Sequence, residues 1–207
     1  MFDKPSNKEN VFRQSGLQLI RIMVIYIRKG EVMKKIYIIL THTGTTLSKI
    51  IKTYTRCEFS HVSIALDEDL NRMYSFGRLH AYNPFWGGFV HEEIDKGTFK
   101  RFKNTGTRVY SLEISNEQYE LIEKEIEKFE FEKKKYKFNI LGLIGVVLKR
   151  KMGRKNAFYC AEFVKHIIET AQVTNDLPII IKPEDFKKIK GLEQIYTGLL
   201  REYKERC

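Results

Sequence analysis

Two residues that could act as a nucleophile and its base each stand at the start of a regular segment. Cys160 lies where a basic loop gives way to a helical pattern, whose apolar residues recur on one face from Phe163 to Ala171. A thiol in the first turn of a helix is close to unpaired backbone N–H groups and to the positive end of the helix dipole. Both favour the thiolate. Cys160 is therefore the candidate nucleophile, and a buried structural cysteine is the alternative.

A cysteine nucleophile needs a base, and of the five histidines His61 has the most suitable setting. It stands near the start of the alternating segment 60–66, in which His61, Ser63 and Ala65 share one face of a predicted strand. The small residues on this face would let a helix pack closely. We therefore expect the Cys160 helix on this face, and a structural strand histidine is the alternative.

The imidazole in turn needs an orienting group, which we expect on the next strand. Residues 72–77 are predicted to form that strand, in a hairpin with the His61 strand. A turn centred on Glu68 pairs His61 with Ser75, and directly paired residues of an antiparallel hairpin point to the same face. Ser75 is therefore the predicted orienting residue. Three residues are alternatives if a later strand or loop folds back over the site: Glu92, Glu93 and Asn83.

The remaining pattern predicts an α+β fold. Other predicted strands are 35–41, 89–92 and 107–113, and a loop is predicted over 78–88. Ser115 and Gln118 have the spacing of a capping box, which would begin a helix with an apolar stripe from Tyr119 to Phe129. Further helices are predicted over 47–54, over 139–148, and from Pro183 onward.

Residues 1–32 differ in character from the rest of the chain. Residues 1–15 are polar and patternless, and a second methionine, Met33, directly precedes the first predicted strand. In a bacterial gene, the codons for residues 29–31 could contain a ribosome-binding sequence. We predict that residues 33–207 form one domain and that residues 1–32 are a leader or an over-extended translation start.

The charge balance bears on the class of partner. The formal net charge is +11, but the basic residues are spread along the chain except for Lys133–Lys135 and the loop before Cys160. This distribution favours a basic surface over a nucleic-acid footprint. The apolar segment 141–148, followed by three basic residues, leaves contact with an anionic membrane surface open, although a buried helix with a solvated end is the commoner arrangement.

The cysteine pattern excludes several other classes. Three cysteines at irregular spacing form no disulfide framework, and no second pair of ligands accompanies Cys57 and His61 as a zinc site would require. We therefore expect neither a metal nor another cofactor. The apolar run 22–27 has no cleavage site of small residues after it, so no signal peptide is predicted and the expected compartment is the cytoplasm.

The order of these residues resembles that of the circularly permuted papain-like cysteine hydrolases. A histidine in residues 60–66 (SHVSIAL) comes first, a polar residue on the next strand second, and a cysteine in residues 158–164 (FYCAEFV) last. Such proteins are the permuted branch of the NlpC-type superfamily, and lecithin:retinol acyltransferase is a distant relative. The resemblance covers roughly residues 35–186 in layout, but the matching motifs are these two short blocks.

The resemblance implies an antiparallel sheet packed against the Cys160 helix. It implies that Cys160 is the nucleophile, His61 the general base and Ser75 the orienting residue. Two positions depart from the family pattern: Ala161 stands where serine is usual, and Ser75 where histidine, asparagine, glutamine or an acid is usual.

The predicted activity is attack by Cys160 on an amide or ester carbonyl. The acyl-enzyme would be released by water in a hydrolase or by another nucleophile in an acyltransferase. Two other classes stay open: a catalytically inactive binding module on the same fold, and a basic nucleic-acid-binding protein.

Overall fold

A computed structural model describes residues 32–44, 57–80, 83–148, 150, 152, 155–174 and 176–206. Nearly all of the predicted leader and the whole of the predicted helix over 47–54 lie outside these residues.

In the described part of the chain, six strands form one antiparallel sheet, in the order β4-β3-β2-β1-β5-β8. They are β1 (Met33–His42), β2 (His61–Ala65), β3 (Met73–His80), β4 (Asn83–Glu92), β5 (Gly106–Ser115) and β8 (Glu193–Leu199). Two short strands, β6 (Lys137–Phe138) and β7 (Ala157–Phe158), pair in parallel beside it.

The helices of the described chain are α1 (Gly97–Arg101), α2 (Asn116–Phe131), α3 (Ile140–Leu148) and α4 (Cys160–Thr170). Two 3₁₀ segments cover Pro183–Lys188 and Leu200–Arg206. The prediction of an α+β fold with an antiparallel sheet and helices is confirmed. Neither β8 nor the final 3₁₀ segment was predicted from the sequence pattern.

The capping box at the start of α2 is confirmed. The backbone N–H of Gln118 donates to the Ser115 hydroxyl at 3.2 Å, and the backbone N–H of Ser115 donates to the Gln118 side chain at 3.1 Å. Two N–H groups at the helix start thereby find acceptors, which fixes where α2 begins.

Alternation along the strands gives the sheet two buried faces. One core cluster contains Ile38, Leu40, Val62 and Ile64. The other contains Ile39 of β1 together with strand and C-terminal residues, including Ala65, Met73, Leu200 and Tyr203. Because side chains of a strand alternate between faces, His61 and Ser63 share the second face with Ala65.

Helix α4 packs on the face opposite to the one predicted. Phe163 and Val164 lie in the cluster of Val62 and Ile64, and the Phe163 ring lies 5.3 Å from the Phe76 ring. The prediction that α4 covers the small His61 face is therefore wrong. The bulky face offers more apolar surface to bury, and apolar burial decides how an amphipathic helix docks.

The predicted loop over 78–88 is mostly strand, so this prediction is also wrong. Gly77 pairs with Gly88, and Arg78 pairs with Gly87. A β-carbon at Gly87 would approach both the Gly77 carbonyl and the Phe138 ring to 2.8 Å. The glycine thus permits close packing inside an edge strand. In a sequence pattern, the same glycine predicts an interruption of the strand.

Candidate active site

The two candidate residues meet where their elements begin. His61 is the first residue of β2, and Cys160 is the first residue of α4. The Cys160 side chain lies close enough to the His61 ring to raise the pKa of the imidazole. Cys160 is buried, whereas the His61 side chain keeps 19% of its surface exposed, so the pair lies at the boundary between core and solvent.

The third member of the site is Glu92, from the edge strand β4. Its Oε1 lies 2.9 Å from His61 Nε2, and its Oε2 accepts a hydrogen bond of 2.5 Å from the Ser63 hydroxyl. With Nε2 held by the carboxylate, Nδ1 is the ring nitrogen that remains for the thiol. Glu92 thereby fixes the orientation of the imidazole, and Ser63 fixes that of Glu92.

Glu92 reaches His61 across the intervening strand. Met73 of β3 pairs with both Ala65 and Glu92, so Glu92 lies on the face that carries His61. A β-carbon at Gly77 would lie 3.4 Å from Glu92 Oε1 and 3.7 Å from His61 Cε1. The missing side chain of Gly77 therefore leaves the space in which the carboxylate meets the imidazole.

The predicted pairing of His61 with Ser75 is wrong. Ile64 pairs with Tyr74, and continuing this register places Ser75 opposite Ser63. The Ser75 hydroxyl is buried and donates to the Val62 carbonyl at 2.7 Å. The Ser75 side chain thus binds the backbone of β2 and not the imidazole. Glu92, one of the three alternatives, binds the imidazole instead.

The register differs because the β2–β3 turn extends further than predicted. The Leu66 N–H donates to the Arg72 carbonyl, and the Asp67 carboxylate accepts from the Arg72 N–H at 2.6 Å. Leu70 adopts a left-handed backbone, with φ of 56°, and buries its side chain in the second cluster. A burial-driven left-handed leucine leaves no recognisable turn signal in the sequence, because turns usually place glycine or asparagine there.

The electrostatic environment favours a charged His61. Burial by itself lowers the pKa of an imidazole, but the negative charges of Glu92 and Cys160, with hydrogen bonds to both, raise the pKa of His61 from 6.5 to about 10. At neutral pH the imidazole is therefore protonated and presents a positive charge to the Cys160 side chain.

A polar network holds the start of α4 in place. Asn139 is buried, and its side-chain NH₂ donates to the Glu162 carboxylate at 3.0 Å, while its oxygen accepts from the Gly142 N–H at 2.8 Å. The same Glu162 carboxylate accepts from the Tyr159 N–H at 3.2 Å. One asparagine thereby caps α3 and ties it to the turn that presents Cys160.

The parallel pair β6–β7 leads directly into this turn. Phe138 pairs with Phe158, two residues before Cys160, and the Asn139 N–H donates to the Phe158 carbonyl at 2.9 Å. The Tyr159 hydroxyl donates to the Ile181 carbonyl at 2.8 Å, which anchors the other side of the turn.

The same residues bear on metal binding and on membrane insertion. Within the described ranges, no group of three or more His, Cys, Asp or Glu side chains is arranged to hold a metal ion. Among the described helices, none has both the length and the apolar character needed to cross a bilayer.

Comparison with known proteins adds no family to this description. The chain matches no protein-family model, and a search of curated proteins finds no relative.

Proposed function

We propose that the protein is a thiol hydrolase or acyltransferase that acts on an amide or ester bond, with Cys160 as nucleophile, His61 as acid–base and Glu92 as the orienting residue. The observation that supports it is the chain of contacts from the Cys160 thiol through the His61 ring to the Glu92 carboxylate. Nucleophile, base and orienting group in hydrogen-bonded series are the arrangement that activates a cysteine. Glu92 replaces Ser75 in this role.

The proposed reaction uses these groups in two steps. The thiolate attacks the carbonyl carbon, and the imidazolium gives its proton to the departing amine or alkoxide, which leaves a thioester on Cys160. Water or another acceptor then attacks the thioester while His61 takes its proton, and the thiolate is regenerated. The backbone N–H of Cys160 is our candidate oxyanion donor, because N–H groups of a first helical turn have no intrahelical acceptor.

Site-resolved alkylation by iodoacetamide tests the proposal. Near neutral pH we expect Cys160 to react faster than Cys57, which is also buried, and faster than the terminal Cys207. We expect His61→Ala to slow Cys160 labelling by about tenfold or more. The matched control is His91→Ala, because His91 contacts the Asn71 carbonyl and stacks on Tyr74, outside the site.

Equal labelling of the three cysteines, with no effect of His61→Ala, would exclude the thiol chemistry and leave the inactive binding module. We expect the reaction to take place in the cytoplasm, since the irregular cysteine spacing suits a reducing compartment.

A further inference from the structure

The segment between α2 and α4 concentrates the positive charge of the chain. Residues 131–155 contain nine Lys or Arg and one Glu, a net charge of +8 within a chain of +11. Six of these basic residues are described, and all are exposed: Lys133, Lys134, Lys135, Lys137, Arg150 and Lys155. Lys135 pairs with Glu132, the one acid of the segment. The other basic residues are exposed and leave the surface of this segment strongly positive.

Large apolar side chains are exposed in the same segment. Phe131, the last residue of α2, is 92% exposed, although Phe129 two residues earlier is fully buried. Ile140 and Leu148, the two ends of α3, are 39% and 58% exposed. Covering a phenylalanine that is almost wholly in water with an apolar phase is favourable, because its ring then leaves water.

We propose that this part of the molecule binds an anionic phospholipid surface. The docking surface consists of Phe131, Lys133, Lys134, Lys137 and Ile140, within ten consecutive positions from the end of α2 to the start of α3. Lysines would lie at the headgroups, and the two apolar side chains would enter the boundary with the acyl chains.

The composition of the docking surface favours lipid over nucleic acid. Its cations are lysines, which act as point charges at a phosphate layer, whereas recognition of individual phosphates more often uses the fork of arginine. An exposed isoleucine has no plane to stack on a base, but it can insert among acyl chains.

The surface is joined to the candidate site through the backbone. Lys137 pairs with Ala157, and the chain passes from there through Phe158 and Tyr159 to Cys160. A membrane bound at the docking surface would thus hold the start of α4 near the interface between lipid and water. The proposal goes beyond the thiol chemistry and does not depend on it.

Co-sedimentation of the full chain with vesicles tests the proposal. One set of vesicles is phosphatidylcholine alone, and the other is an equal mixture of phosphatidylcholine and phosphatidylglycerol. We expect binding to the mixed vesicles at least about tenfold stronger, and weakened by salt, because each basic residue at an anionic surface contributes roughly a factor of five. Equal binding to both sets, or none, would overturn the proposal.

Matched variants assign the binding to this surface. We expect Lys133→Glu with Lys134→Glu to weaken binding about tenfold or more, and Phe131→Ser to weaken it about fivefold. The controls are Lys100→Glu with Lys103→Glu, the same change of charge at exposed residues elsewhere, and Ile179→Ser at a residue 72% exposed. Unchanged urea midpoints establish that every variant is folded.

Three outcomes would contradict the proposal. An equal loss of binding in the Lys100 and Lys103 control would show that binding depends on the overall charge of the chain and not on the docking surface. Undiminished binding by the Phe131 and Lys133–Lys134 variants would place the binding elsewhere. Tight binding of a single-stranded oligonucleotide, lost in the same variants while vesicles bind weakly, would assign the surface to nucleic acid. Each readout is independent of Cys160 reactivity, so failure here is distinguishable from failure of the thiol chemistry.

Discussion

At the scale of single residues, the charge of Glu92 controls the protonation of His61. Glu92→Gln keeps the size of the side chain but removes the negative charge 2.9 Å from the ring. Because the imidazolium then loses its partner, we expect the pKa of His61 to fall from about 10 by roughly 1–3 pH units. The titration of the His61 ring by NMR measures it. Any activity that requires the imidazolium is lost as the pH rises through the pKa of His61. In this variant we therefore expect that loss at a lower pH than in the wild type.

Ser75→Ala is the residue-scale control for this prediction. Its hydroxyl donates to the Val62 carbonyl, so the change should cost about 1 kcal/mol of stability and leave the His61 titration where it is. An equal displacement of the titration in both variants, or none in Glu92→Gln, would show that the carboxylate does not hold the imidazolium.

At the scale of elements, β3 lies between β4, which carries Glu92, and β2, which carries His61. Gly77→Leu would fill the space between Glu92 and His61, where a β-carbon already makes van der Waals contact. We expect the displaced carboxylate to slow Cys160 alkylation at neutral pH by about tenfold to a hundredfold. Gly77→Ala, whose single added carbon fits at 3.4 Å, should remain near the wild-type rate. A Leu variant as reactive as the Ala variant would contradict this role for β3.

At the scale of the whole molecule, one aromatic side chain joins the helices to the sheet. The Phe129 ring of α2 lies within 6 Å of rings from strands, helices and the α2–β6 turn: Phe76, Phe89, Tyr136, Phe158, Phe163 and His166. We expect Phe129→Ala to lower the free energy of unfolding by about 3–5 kcal/mol, through lost burial and the cavity that remains. Urea denaturation measures it. The matched control, Phe131→Ala, should change the free energy of unfolding by less than about 0.5 kcal/mol. A similar loss of stability in both variants would show that Phe129 does not join the helices to the sheet.

Local patterns made part of the site predictable. Cys160 opens α4 because an irregular loop gives way to an apolar period of 3.6, and His61 opens β2 because the alternation of period two begins there. The capping box of α2 was equally visible, since its hydrogen bonds join residues three apart. Each of these signals lies within a few residues of the feature that it predicts.

The sequence by itself determined that a cysteine and a histidine stand at the starts of a helix and a strand in an α+β chain. Only the tertiary structure decided which acid joins them. Glu92 lies 31 residues from His61 and two strands away. Its place depends on a register set by the buried Leu70 and on the space left by Gly77. Both are properties of packing between segments distant in sequence, and one residue of register decides which side chains face each other.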